Sequence, residues 1–141
     1  MQSALRSLYR YWAALLFVAI WVQIASAAYG AFYAHHTADK HGPLSEKTID
    51  SGFDFHSGLG TAIVAGAIIL FLIALGARFT RRRILFSLGL AVLTVLQIPL
   101  AEAGKAAPWA GGFHGAVALM IFGMTGGTTF AAWGRRPPAP M

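Results

Sequence analysis

The sequence predicts an all-α integral membrane protein, a four-helix up-down bundle whose two halves repeat one another and whose termini both lie on the cytoplasmic side. Three observations carry that reading: an apolar composition, four apolar runs of spanning length, and a one-sided distribution of arginine. Of 141 residues, 57% are hydrophobic and the mean hydropathy is +0.61, too apolar for a soluble domain of this size. A hydrocarbon core roughly 30 Å thick takes about 20 mostly apolar helical residues to cross. Four stretches meet that length: Tyr11 to Tyr33, Phe55 to Ala77, Ile84 to Ala103, and Gly112 to Trp133. Polar residues gather in the connections, where backbone groups can be hydrated.

The net charge of +6 invites a nucleic-acid reading, which its distribution excludes. All eight arginines lie in three places: Arg6 and Arg10 before the first span, Arg78, Arg81, Arg82 and Arg83 between the second and third, Arg135 and Arg136 after the fourth. The five acids, Asp39, Glu46, Asp50, Asp54 and Glu102, occupy the other two connections and the span ends beside them. Because Lys and Arg near span ends set orientation, the arginine side is expected in the cytoplasm of a bacterial inner-membrane protein. Attraction to anionic lipid headgroups follows from the same clusters.

The chain from 1 to 134 reads as one four-span domain. The tail from 135 to 141, with three prolines in seven residues, reads as a disordered end. At the amino terminus Arg6, Arg10, an apolar run and Ala25-Ser26-Ala27 resemble a cleavable signal, but the run continues to Phe32 and is read as a span. Cysteine is absent, which excludes disulfides and thiolate metal sites. Trp12, Trp21, Trp109 and Trp133 fall mostly near span ends, as an aromatic belt requires.

Aligning the first and third spans sets Gln23-Ile24-Ala25-Ser26-Ala27-Ala28-Tyr29-Gly30 against Gln97-Ile98-Pro99-Leu100-Ala101-Glu102-Ala103-Gly104, a shared Q-I-x-x-A-x-x-G. The second and fourth spans open alike, with Phe55-His56-Ser57-Gly58 against Phe113-His114-Gly115. Each half begins and ends inside, so the repeats are parallel and related by an axis along the membrane normal. Glutamine within an apolar helix costs free energy unless its amide finds partners, which points Gln23 and Gln97 inward, toward each other or toward a bound group.

In an up-down bundle the second and fourth helices are diagonal, so His56 and His114 can approach from opposite sides of the core. Two imidazoles facing across a plane are an axial ligand set for one haem iron of b type, and equivalent placement predicts comparable loss of haem on replacing either. Gly52, Gly58, Gly60, Gly111, Gly112 and Gly115 surround the pair, leaving room for a macrocycle, although small residues also serve helix contact, as Gly123 and Gly127 are expected to do. A quinone or a chlorin is the other ligand class for the same core. His35, His36 and His41, with Asp39 and Lys40, could bind a divalent metal, but no ligand spacing specifies it. Otherwise the first outer connection, about 20 residues, is expected to be a cap folded over the histidine pair.

The order of glutamine on one span, histidine opening the next, then both again resembles one four-helix half of haem A synthase. It also resembles small four-helix bacterial membrane proteins grouped as a domain of unknown function. The resemblance covers Leu15 to Trp133 and implies His56 and His114 as haem ligands. Haem A synthases carry a Glu three residues before the first histidine of a half and an Arg after it, where this chain has Phe53 and Ser57. The outer cysteine pair of many of them is missing too, so the haem-holding scaffold is implied and their oxidation chemistry is not. With no nucleophile–base pair or carboxylate dyad visible, the expected role is an electron-transfer module or a haem-bearing subunit of a larger membrane complex rather than an enzyme. The alternative is a cofactor-free structural or assembly subunit, bound to other subunits through its small-residue faces.

Overall fold

The computed structural model describes residues 2 to 134; the proline-rich tail lies outside them. The chain is all helical: α1 (Gln2–His41), α2 (Glu46–Gly76), α3 (Arg81–Ala106) and α4 (Pro108–Trp133). Each is long and apolar enough to cross a membrane. They form a four-helix bundle in which α1 packs on α2 and α4, and α3 on α2 and α4. Neither diagonal pair makes backbone contact among the described residues. Neighbours run antiparallel. Trp12 Nε1 donates to the Gly66 carbonyl at 2.8 Å while Gln23 reaches His56, and Phe17 stacks on Phe122 while Tyr11 meets Trp133.

The interior is built from small or slim side chains, among them Ala13, Ala67, Ala74, Ala91 and Ala110 around Leu16, Leu70 and Leu90. Large apolar residues such as Leu15, Val18, Leu72, Val92, Leu119 and Phe130 lie on the outside. That arrangement suits helices that associate in an apolar solvent, where close backbone approach and dispersion replace the hydrophobic drive. Gly66 illustrates it: a Cβ there would lie 2.7 Å from Leu16 Cδ2.

The connections are short. Gly42, at φ +77°, ends α1 with its N–H on the Ala38 carbonyl, a left-handed cap position that suits glycine. Ser45 then caps α2 by accepting from the Thr48 N–H. The expected cap of residues 34 to 54 is therefore not a loop: α1 continues to His41 and α2 begins at Glu46, leaving only 42 to 45 between them. No proline interrupts positions 34 to 42, and a capped helical hairpin satisfies its backbone more completely than a loop would. At 40 residues, α1 is roughly 60 Å long, about twice a hydrocarbon core. The α3–α4 connection is Ala107 alone, followed by Pro108 in the first turn of α4, where its missing N–H costs nothing.

At the opposite end Arg78, with φ 47°, turns the chain between α2 and α3. Phe79 there meets Tyr9 edge-on at 4.9 Å, and the Arg83 guanidinium stands 4.5 Å from its ring centre. Tyr9 also bonds Ser87 across the α1–α3 diagonal at 2.9 Å, joining the two halves at the arginine-rich end.

Candidate functional site

Each polar residue singled out in the apolar spans lies in one cluster between the helices. The Gln23 side-chain amide donates from Nε2 to the backbone carbonyl of His56 at 2.8 Å, and the Gln23 backbone carbonyl accepts from His56 Nδ1 at 3.0 Å. The same two bonds recur between α3 and α4, Gln97 Nε2 to the His114 carbonyl and His114 Nδ1 to the Gln97 carbonyl, each at 3.2 Å. Each of these two glutamines thus embraces the histidine of the helix that follows it. The expected alternative of a Gln23–Gln97 bond is corrected: helix register places each amide beside the neighbouring helix, where a backbone carbonyl is within reach.

The close approach that allows this lies two turns further along. A Cβ on Gly30 would fall 2.7 Å from the Phe53 ring and 2.8 Å from the Gly52 carbonyl oxygen. A Cβ on Gly104 would fall 3.0 Å from Gly111 Cα. These glycines, which end the shared motif, bring the helix backbones together. Gly60 serves the amide directly, since a Cβ there would stand 3.0 Å from Gln23 Nε2. Of the six glycines near the histidines, Gly52, Gly60 and Gly111 therefore belong to packing, and only Gly58, Gly112 and Gly115 front open space. Gly123 and Gly127 also front open space; it is Gly126 that faces α1, where a Cβ would lie 3.1 Å from the Phe17 ring.

The histidine tautomer follows from its partners. A carbonyl can only accept, so Nδ1 carries the proton in both rings and Nε2 keeps its lone pair. That is the state of a metal-ligating imidazole oriented by a backbone carbonyl behind it. The ring centres of His56 and His114 are 6.4 Å apart with planes at 60°. Two imidazoles sharing one metal through bonds of about 2 Å have ring centres roughly 6 to 6.5 Å apart. Sequence reasoning brought these two residues together, and the structure places them at that spacing. Gln23 Oε1 and Gln97 Oε1 are buried without a hydrogen-bond partner among the described residues, so the cluster is not self-satisfied.

Ser26 was missed. Its hydroxyl donates to the Gln23 carbonyl at 2.8 Å and its oxygen lies 3.1 Å from His56 Nδ1. A serine one turn beyond a glutamine in an apolar run was the available signal, masked by its place in an apparent signal-cleavage tripeptide. His35, His36 and His41 are all exposed and apart from the pair; His35 meets Asp39 at 3.2 Å on the surface of α1. No group of three or more His, Cys, Asp or Glu side chains that could hold a metal ion occurs among the described residues.

Because the two amides bond within their own helix pairs, changing Gln23 and Gln97 to leucine is expected to be additive. Each single change should cost about 0.6 kcal/mol, the average for membrane interhelical hydrogen bonds, and no more than about 1.7 kcal/mol. The double change should equal their sum within about 0.5 kcal/mol. Equilibrium unfolding in mixed detergent measures this; rescue in the double variant would restore the direct Gln–Gln bond. The chain matches no protein-family model, no curated protein and no solved structure.

Proposed function

We propose that the protein is a multi-pass protein of the bacterial cytoplasmic membrane that binds one b-type haem between His56 and His114. It acts there as an electron-transfer module or as the haem-bearing subunit of a larger membrane complex. The observation that carries this reading is the histidine pair itself: rings 6.4 Å apart, each with Nδ1 committed to a backbone carbonyl, which leaves Nε2 as the nitrogen that would ligate a metal. Gln23 and Gln97 hold those rings in place and keep polar oxygens at the edge of the site. Haem bound there supplies a one-electron redox centre. His56 and His114 would supply the ligating nitrogens, oriented by the hydrogen bonds to the Gln23 and Gln97 carbonyls.

The halves are read as a parallel repeat with a pseudo-twofold axis along the membrane normal. The alignment pairing Gln23 with Gln97 also pairs the buried residues Ala13 with Ser87, Leu16 with Leu90, and Ile20 with Thr94. The alignment pairing His56 with His114 pairs Gly52 with Ala110, Ile63 with Ile121, Ala67 with Thr125, and Leu70 with Thr128, again all buried. Arginine bias puts both termini in the cytoplasm and the histidines toward the outer leaflet. Reporter fusions after Lys40 and after Arg82 should read outside and inside respectively; a cytoplasmic signal at Lys40 overturns the orientation.

The visible spectrum of the detergent-purified protein, expressed with haem supplied, tests the function. A Soret band with sharp reduced α and β bands is the expected result. A colourless protein that takes up no added haem would favour the cofactor-free subunit, a reading helped by one contact: Gln23 Nε2 lies 3.2 Å from His56 Nε2 and can occupy its lone pair.

A further inference from the structure

The two halves share a plan but differ around their histidines, and the difference bears on how each ring would hold a metal, given the haem reading above. His56 Nδ1–H lies between two acceptors, the Gln23 carbonyl at 3.0 Å and Ser26 Oγ at 3.1 Å. The Ser26 hydroxyl hydrogen is already committed to Gln23, so its oxygen is free only to accept, and the imidazole proton is shared between both. Phe53 packs edge-on against the ring at 6.2 Å.

His114 lacks each of these supports. Leu100 stands where the alignment has Ser26, and Gly111 where it has Phe53. One bond remains on Nδ1, at 3.2 Å, and the amide bond behind it is 3.2 Å against 2.8 Å in the other half. The second N–H of Gln23 points at His56 Nε2. Ligation through His56 Nε2 would require that contact to be given up, while the bond to the His56 carbonyl would keep the amide in position.

We propose that the two imidazoles are unequal ligands: His56 is the permanent one and His114 dissociates, so the His114 side can take a small neutral diatomic molecule. The physical reason is orientation by hydrogen bonds. A ligating histidine whose N–H is well held stays aligned with the metal and donates more strongly, and losing such a partner costs about 10- to 100-fold in metal affinity. Ser26 is a positioning residue in this scheme, acting through His56.

The test uses the full chain, loaded with haem in detergent and reduced, with carbon monoxide as the probe. The expected result is a carbon monoxide adduct in the unaltered protein. His114→Gly should keep its haem, lose the low-spin spectrum and regain it on adding free imidazole, while His56→Gly binds haem at least about tenfold more weakly. Should either glycine variant fail to fold, Leu100→Ser decides, because it gives His114 the partner that His56 has. Carbon monoxide uptake should then slow by about tenfold. Indifference of the reduced protein to carbon monoxide, unchanged uptake in Leu100→Ser, or retention of haem by His56→Gly and not by His114→Gly would each overturn the proposal while leaving haem binding intact. A chain that takes up no haem at all overturns both.

Discussion

Replacing His56 with alanine is expected to abolish the Soret band of the haem-loaded protein, the largest single effect in the chain. The substitution removes the ring nitrogen that would ligate the proposed haem. It also removes the Nδ1–H that the Gln23 carbonyl and Ser26 Oγ accept, so the helix contact loses its side-chain bond along with the ligand. The Gln23 amide keeps its bond to the carbonyl of residue 56, which is backbone and survives the change. Folding should therefore be weakened by about 1 kcal/mol, the scale of one hydrogen bond, while haem binding is lost. His35→Ala, His36→Ala and His41→Ala, all on exposed positions, should leave the spectrum as it was. The measurement is absorbance at equal protein with added haem. Bleaching by the three surface variants, with retention of haem in His56→Ala, would show that the ligands lie on the extended hairpin.

The second large effect is expected at Gly30, through packing. A valine there would drive its Cβ to 2.7 Å from the Phe53 ring and 2.8 Å from the Gly52 carbonyl oxygen, and backbone cannot swing aside as a side-chain tip can. α1 and α2 must part, which costs about 1–3 kcal/mol for overpacking. Because Gln23 and His56 meet on the same pair of helices, the separation also lengthens their two bonds. Lowered unfolding stability together with weakened haem uptake is the expected combination. Gly127→Val is the control, since a Cβ at Gly127 meets nothing within 4 Å and the position lies far along α4 from His114, so it should leave both quantities nearly unchanged. Equal damage from both variants would mean that the Gly30 contact does not set the result.

Much of the architecture was legible because its causes are local in the chain. An apolar run of spanning length can satisfy its backbone only as a helix, so four runs meant four helices, and short connections made successive ones antiparallel. The recurrence of Gln23 with Gln97 and of His56 with His114 marked residues that meet between the helices, since polar residues in apolar helices are few and need partners. The extent of α1 was not legible. Lys40, His41 and Asp39 resemble a loop in composition, yet capping by Gly42 and Ser45 made residues 34 to 41 a continuation of the helix.

The sequence by itself determined the four helices, their apolar character and the residue types that meet in the core. Only the tertiary structure decided which groups touch: that Gln23 holds His56 and not Gln97, that Ser26 stands behind the ring, and that Gly126 rather than Gly123 and Gly127 faces α1. The physical reason lies in the solvent that such helices are built for. When both the lipid face and the packed face are apolar, hydrophobic periodicity no longer tells inside from outside. The inward face is instead chosen by how closely backbones can approach. That is a property of two helices in a given register, set here by Gly30 against Gly52 and Gly104 against Gly111, and a single run of residues does not contain it.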